Sequence, residues 1–388
     1  MRVSPWTCIQ GREPMEHLQG MIRRIGEAPL KSFQKVHLLK VYAIPRLTYS
    51  LVTPTPVSLN RLCALDSLIR TTVKEWLNLP ACTTSCLLYC RIRDGGLALP
   101  WLTRAIPVAQ MKRLQRLMGN RDKVLSTVGK LATVKRHYRQ QSQIVKLQGG
   151  KSFRKQAFRE WMSKGPQGFG VETYQDNPQS HEAISVFAKD LRDYEKQQIL
   201  KMRANVYPTR EFLTRGTTDG CHCRHCGGGT KEDFFHNVTS CSATKQIRIQ
   251  RHDLVVEILS DFLVQESWEV LKEPKIPATG GWRKPDIVAL NRETNVLYVI
   301  DPTVVAEGRF EESFRIKEGK YSDSIFLAHL KERFMTDDVR VHGLVLGVRG
   351  VLPQKSQELL KALRCSKRVV KKLLNTVLRG TLRCFSHF

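Results

Sequence analysis

The stretch GCHCRHCGGGTKEDFFHNVTSC sets out Cys223, Cys226, His236 and Cys241 in the order Cys-x2-Cys-x9-His-x4-Cys. Three thiolates and one imidazole form a donor set that Zn²⁺ accepts in tetrahedral geometry. Cys223 and Cys226 make one knuckle, Gly227, Gly228 and Gly229 let the backbone turn beneath the metal, and His236 and Cys241 lie about a helical turn apart. The expected site is structural and closed. Cys221, His222 and His225 are competing ligands, but Cys221 and Cys223 have a single residue between them, which is tight for a shared zinc, so the pair Cys223 and Cys226 is preferred. Cys82, Cys86 and Cys90 recur every four residues without nearby histidines and read as small apolar packing residues.

A second constellation lies downstream. Asp286, in Arg283-Lys284-Pro285-Asp286-Ile287-Val288, and Asp301, closing the apolar run Val296-Leu297-Tyr298-Val299-Ile300, put two carboxylates at adjacent strand ends. Hard oxygen ligands of this kind hold Mg²⁺ or Mn²⁺, as metal-dependent phosphodiester hydrolysis requires. In the PD-(D/E)xK nuclease arrangement a lysine follows the second acid by two positions, but Thr303 stands there. Lys317 and Lys320, in RIKEGKY, can supply the ammonium from the next helix, with Tyr321 completing a Lys317-x3-Tyr321 pattern. The ammonium orients water and offsets developing charge.

Periodicity indicates which elements must position these groups. Phe33, Val36, Leu39 and Ala43 recur at helical spacing up to Pro45, which interrupts the helix. A second helix runs from about Val57 to Leu77, striped by Leu59, Leu62, Leu65, Ile69, Val73 and Trp76, and a third spans about Ile106 to Leu117 after an Asp94-Gly95-Gly96 turn. Gly165 to Ser180 reads as a linker, and His181 to Ala204 as a helix before Pro208 and Gly216 break it. Beyond the cysteines, Ile247–Val264 reads as helix, Val288–Leu290 and Val296–Asp301 as strands, Phe310–Phe334 as helix, Val339–Val348 as strand, and Gln354–Leu378 as a closing helix. This last region is therefore α/β.

The 388 residues exceed one ordinary domain. With 41% hydrophobic and 26% charged residues, the composition is that of folded, soluble protein. A formal charge of +27 costs self-repulsion that a polyanion would relieve, so nucleic acid is the expected partner. No apolar run approaches the roughly 18 residues that a membrane span needs. Met1-Arg2-Val3-Ser4-Pro5-Trp6 lacks the apolar core and cleavage site of a secretory signal, which points to an intracellular, reducing compartment where cysteines stay thiols or bind metal. Between Arg121 and Lys164 twelve Lys or Arg face two acids, interleaved with Tyr138, Phe153, Phe158 and Trp161. The rings could stack on bases, or they could be helix core behind a solvated basic face. Candidate nucleic-acid contacts are Lys135, Arg136, Arg139, Arg154 and Lys155 here, and Arg248, Arg251, His252, Arg283 and Lys284 further on.

Taken together, PTREFLTRG, the cysteine knuckle, Arg248-x2-Arg251-His252, RKPDIV, VIDPTVV and KEGKY, in that order, resemble the C-terminal half of site-specific non-LTR retrotransposon polyproteins that carry a restriction-like endonuclease. Upstream, Ile44-Pro45-Arg46-Leu47, Trp76-Leu77-Asn78-Leu79-Pro80 and Arg93-Asp94-Gly95-Gly96-Leu97 resemble the thumb that follows a reverse transcriptase palm. The resemblance implies nuclease roles for Asp286, Asp301 and Lys317, zinc ligation by Cys223, Cys226, His236 and Cys241, and target-primed reverse transcription with target DNA and element RNA as partners in the nucleus. It implies a multidomain α+β chain: a helical thumb-like region over 1–120, a basic helical linker region over 121–215, a zinc knuckle over 216–246 and an α/β PD-(D/E)xK restriction-like nuclease domain over 247–388. This chain departs from the pattern in two ways. Pro302 follows Asp301, where it would displace the second metal ligand, and no polymerase palm precedes the thumb motifs. Asp337-Asp338 reads as a loop rather than a polymerase metal turn. The rival expectation is a nucleic-acid-binding protein without catalysis.

Overall fold

A computed structural model describes residues 13–52, 57–148, 153–214, 217, 219–226 and 229–387. Met1–Trp6, Gly216, Gly227 and Gly228, to which the sequence assigned roles, lie outside them. The chain forms two compact units. One comprises the described residues up to Ile92 with Gly96–Ser163, and the other Arg93–Gly95 with Lys164–Phe388.

The first unit is all helical: α1 (Pro14–Glu27), α2 (Ser32–Leu38), α3 (Ile44–Leu51), α4 (Leu59–Trp76), α5 (Cys86–Tyr89), α6 (Leu102–Met118), α7 (Lys123–Lys130), α8 (Ala132–Leu147) and α9 (Phe153–Met162). Pro45 does not end the helix before it. A π-helical turn over Leu39–Ala43 joins α2 to α3, with Ile44 N–H donating to the Leu39 carbonyl, so the proline falls in the first turn of α3, where a missing N–H costs little. In α4 the stripe Leu62, Leu65, Ile69 and Val73 is buried, and Asp66 lies beside it. The Asp66 carboxylate accepts from Leu102 N and Thr103 N, each at 2.9 Å, and so caps α6 from a distant helix. Phe158 and Trp161 are core residues, 3% and 0% exposed. Lys135, Arg136, Arg139 and Lys155 are exposed, whereas Arg154 is half-buried over the Phe153 ring. Of the two readings of the basic stretch, Phe158 and Trp161 follow the packing one. Cys86 and Cys90 are buried as packing residues; Cys82 is exposed.

In the second unit the presumed linker is ordered. It contains α10 (Gly165–Gly168) and 3-10 turns over Val171–Gln175 and Pro178–Ile184, and it buries Val171, Tyr174, Asn177, Ser180 and His181. The helix expected from His181 begins only at α11 (Asp193–Arg203), where the Glu195 carboxylate accepts from Arg192 N. After α12 (Arg210–Leu213) and α13 (Phe234–Thr239), the long α14 (Lys245–Gln265) leads into the sheet strands β1 (Glu269–Lys272), β4 (Ile287–Asn291), β5 (Val296–Val305) and β6 (Asp338–Gly347), ordered β1-β4-β5-β6. A separate hairpin, β2 (Ile276–Ala278) with β3 (Gly281–Arg283), lies between β1 and β4. Strands β1, β4 and β5 are antiparallel, and β6 joins β5 in parallel after α15 (Phe310–Lys320) and α16 (Ser324–Phe334). The helix predicted across 310–334 therefore breaks in two, with Asp323 accepting from Phe326 N as the new N-cap. The closing helix also divides, into α17 (Gln354–Ala362) and α18 (Lys367–Ser386).

Both faces of the sheet are covered, which is why β4 and β5 read as continuous apolar runs. Ile287, Ala289, Tyr298 and Ile300 pack with Val255, Leu259 and Phe262 of α14 and Leu373 and Val377 of α18. Val288, Leu290, Leu297 and Val299 pack with Ile276, Tyr321, Phe326 and Leu330. Among the described residues no helix is long and apolar enough to cross a membrane.

Candidate functional site

Alternation along the strands places the carboxylates. Ile287 pairs with Ile300, so Asp286 and Asp301 stand opposite each other one step beyond, on the face shared with Val288, Val299 and Tyr321. Asp286 lies close enough to Asp301 to affect its ionisation. Pro302 does not displace Asp301. The strand β5 runs through it in register with β6, Asp301 opposite Gly343 and Pro302 opposite Leu344, at a point where β4 has already ended.

Asp301 is 2% exposed. Lys317 Nζ lies 2.5 Å from its Oδ1, Tyr321 OH donates to its Oδ2 at 2.7 Å, and Lys320 Nζ is 3.6 Å from Oδ2. Burial pushes this carboxyl up, but the Lys317 ammonium and the Tyr321 hydroxyl outweigh it and hold Asp301 below the usual carboxylate range. Burial and the neighbouring Asp301 raise the Tyr321 phenol, which stays a donor. Lys320 sits over the Tyr321 ring, 4.7 Å from its centroid. Lys317 reaches Asp301 because Gly343, opposite Asp301 on β6, is bare: a Cβ there would stand 3.1 Å from Lys317 Cβ.

His252 belongs to this site, a role sequence reasoning missed when it grouped the residue with nucleic-acid contacts. Its Nε2 lies 3.1 Å from Asp286 Oδ2 and its Nδ1 3.2 Å from Asp253. The hydrogen bond to Asp286 pushes its pKa up to about 9. The signal was periodicity: 252, 255, 259 and 262 share one helical face, and the last three pack on the sheet. Arg251, by contrast, is 3% exposed, donating to Thr381 Oγ1 at 2.9 Å and the Val238 carbonyl at 3.1 Å, so its guanidinium serves the interior rather than a phosphate. Arg248 donates to the Thr239 and Cys241 carbonyls at 2.5 and 3.0 Å. Arg283 is half-buried, and exposed Lys284 pairs with Glu273.

The cysteine cluster assembles in the same unit. Cys223 N–H donates to the Thr230 carbonyl and Glu232 N–H to the Cys221 carbonyl, forming a short hairpin in which Gly229 adopts φ +81°. Its far end is α13, capped by Asp233, which accepts from His236 N at 2.6 Å. The ligand atoms of Cys223, Cys226, His236 and Cys241 all lie within 4.8 Å of one another, and these four could hold a metal ion such as zinc; Cys221, His222 and His225 stand outside the group. Zn–S bonds of about 2.3 Å at the tetrahedral angle separate two sulfurs by about 3.8 Å. Cys241 Sγ lies 3.8 Å from Cys223 Sγ and 3.5 Å from Cys226 Sγ. His236 Nε2 is buried with no hydrogen-bond partner, while its Nδ1 is 3.1 Å from Ser240 Oγ, as expected of a ligating imidazole whose second nitrogen is held. The Ser242 hydroxyl and N–H at Cys226 Sγ lower that thiol to about 6. The knuckle is not a free module, because Phe234 stacks on Phe385 of α18 at 5.2 Å.

No protein-family model matches the chain. It is 27% identical over 369 residues to the retrovirus-related Pol polyprotein from type-1 retrotransposable element R2 of Bradysia coprophila, covering 93% of this chain and 42% of that protein. The Pol polyprotein from the type-2 element R2DM of Drosophila melanogaster is 26% identical over 384 residues, 97% of this chain and 36% of the relative. A type-1 R2 polyprotein of Popillia japonica is 27% identical over 380 residues, 96% and 77% respectively. The chain thus spans well under half of the first two relatives. Over nearly its whole length it is homologous to the Pol polyproteins of R2 elements, and it corresponds to part of such a non-LTR retrotransposon polyprotein.

Proposed function

We propose that the second unit is a metal-dependent DNA endonuclease with a restriction-like core, which nicks target DNA so that the freed end can prime copying of element RNA. The observation that carries this reading is the convergence of Asp286, Asp301 and Lys317 on one point at the open end of β4 and β5. The order helix, three antiparallel strands, helices and a parallel strand supports it as the scaffold of a PD-(D/E)xK nuclease, with Lys317 donated from α15 rather than from the position of Thr303. Two adjacent carboxylates at a sheet end are a hard-oxygen donor set suited to Mg²⁺ or Mn²⁺. When bound, such an ion polarises the phosphate and lowers the pKa of the attacking water. Tyr321 fixes the orientation of Asp301, and His252 does the same for Asp286. Lys317, or Lys320 behind it, offsets charge building on the phosphate.

In this reading zinc on the four-residue knuckle is structural, and the exposed cations Lys135, Arg136, Arg139 and Lys155 grip DNA or element RNA through phosphates. The place of action is then the nucleus. Incubation of the purified chain with supercoiled DNA tests the proposal. Nicked circles should form with Mg²⁺ and vanish in Asp286→Ala. Equal nicking by both proteins, or none by the wild type, would leave a nucleic-acid-binding protein without catalysis.

A further inference from the structure

Beside the carboxylates lies an open cavity of about 560 Å³ lined by Trp282, Arg283, Lys284, Lys320, Ser322 and Asp323. Trp282 is 66% exposed at its rim. A lone exposed apolar side chain is ordinary on a protein surface; the setting of this one is not. It sits on the β2–β3 hairpin, opposite Pro277, while Ile276 and Ala278 of the same hairpin are sunk in the core under α16. Gly280 and Gly281, at φ +76° and +131°, form the tight turn, and Thr279 N–H beyond β2 donates to Asp323 Oδ1 at 3.1 Å. The indole is therefore carried on an anchored element rather than on a loose loop. Four residues after it comes Asp286, and Lys320, on the cavity's inner wall, stands 3.6 Å from Asp301. The cavity carries the Asp323 carboxylate, which accepts from the N–H groups of Thr279 and Phe326, and three cations, Arg283, Lys320 and Lys284, the last paired with Glu273.

A flat aromatic face beside clustered cations, one of which, Lys320, is within ion-pair distance of Asp301, has the chemistry of a nucleotide site: the ring takes a base and the cations take its phosphate. Base faces inside a duplex are covered by their neighbours, so only a base that has left the stack can lie on an indole. We propose that this cavity holds an unstacked DNA nucleotide adjoining the cut, its base against Trp282 and its phosphate toward Arg283 and Lys320. The proposal rests on the nuclease reading for its position relative to the cut, but the binding it describes can be measured separately.

The test titrates the full chain, without added divalent metal, against a short single-stranded DNA and the matching duplex, both carrying 2-aminopurine. Trp282→Ala should weaken the single strand about tenfold and abolish quenching of the 2-aminopurine, since stacking on one aromatic ring is typically worth at least that much. Trp282→Phe should restore most of both, and duplex affinity should change less than about twofold, being set by the basic surfaces. Because the ring is exposed, zinc content and melting temperature should match the wild type. Single-strand affinity and quenching unchanged in Trp282→Ala would overturn the proposal even if Asp286→Ala loses nicking. If the wild type fails to nick yet Trp282→Ala loses the single strand, the nucleotide site stands and the nuclease reading falls.

Discussion

Replacing Glu307 by alanine should be among the most damaging single changes in the second unit, and the size of the loss follows from its surroundings. Glu307 and Arg349 are both 0% exposed, with Arg349 Nε donating to Glu307 Oε2 at 2.9 Å and Arg349 N to Oε1 at 2.8 Å. They bind the turn after β5, the strand that carries Asp301, to the turn after β6, its parallel neighbour. Removing one partner of a buried pair typically costs about 3–5 kcal/mol, because the other charge is left without compensation. Here the guanidinium keeps the carbonyls of Phe169 at 2.6 Å and Arg203 at 3.4 Å, and lies over the rings of Tyr174 and Phe235, so the loss should fall near the lower bound, about 3 kcal/mol. For a unit of this size each kcal/mol shifts the melting point by roughly 2–4 °C, giving a drop of roughly 6–12 °C by scanning calorimetry. The double change Glu307→Met with Arg349→Met should recover most of that loss, since a well-packed apolar pair carries no stranded charge. A shift under about 2 °C in Glu307→Ala would refute the reasoning, as would a double variant no more stable than the single.

Further outcomes follow from other parts of the second unit. Gly343→Val should push Lys317 off Asp301 and lower Mg²⁺-dependent nicking at least tenfold while leaving the fold intact; unchanged activity would show that Lys317 does not need the gap. Burial, with Arg203 beside it, lowers His181 to about 3, and Arg203 Nη1 donates to its Nδ1 at 2.7 Å. Above pH 6.5 the ring is neutral folded and unfolded, but as pH falls toward 3 only the unfolded chain takes up the proton, so stability should drop by up to about 1.4 kcal/mol per unit; urea midpoints for the wild type and His181→Gln should diverge below pH 6.5, and parallel curves would contradict this. The chain should bind one equivalent of zinc through Cys223, Cys226, His236 and Cys241, released by a thiol-reactive mercurial, and a chelated protein whose knuckle still resists protease would count against a structural role.

What could be read from residues alone was what a short period encodes. The two apolar strands emerged as short continuous apolar runs, α14 from the three-to-four spacing, and the four metal-ligand positions from their order, because these signals are local. Elements held by distant partners were less visible. The β2–β3 hairpin lies in KIPATGGWRKPD, where Pro and Gly suggest a loop, yet Ile276 and Ala278 are pinned beneath α16. The stretch from Gly165 to Ser180 looked like a linker by composition, but Arg349 donates to the Phe169 carbonyl from 180 positions away and Tyr174 donates to the Arg203 carbonyl. The breaks at Asp323 and Ser366 were available as N-cap signals within long apolar periods. At the candidate site the carboxylates, Lys317 and Tyr321 were legible from types and spacing. Gly343 was not singled out, since it acts by lacking a side chain, and His252 was named only as a nucleic-acid contact, since it reaches Asp286 from a helix far back in the chain.

The central claim is that the carboxylates at the ends of β4 and β5 cut DNA, and the isosteric change Asp301→Asn tests it most directly. The variant keeps the volume and one acceptor oxygen beside Tyr321 and Lys317 but loses the charge that would hold a divalent ion. With the same supercoiled substrate, Asp301→Asn should show no Mg²⁺-dependent nicking above background while binding DNA as tightly as the wild type, because the cations that grip phosphates lie elsewhere. Nicking by Asp301→Asn at the wild-type rate would contradict the account.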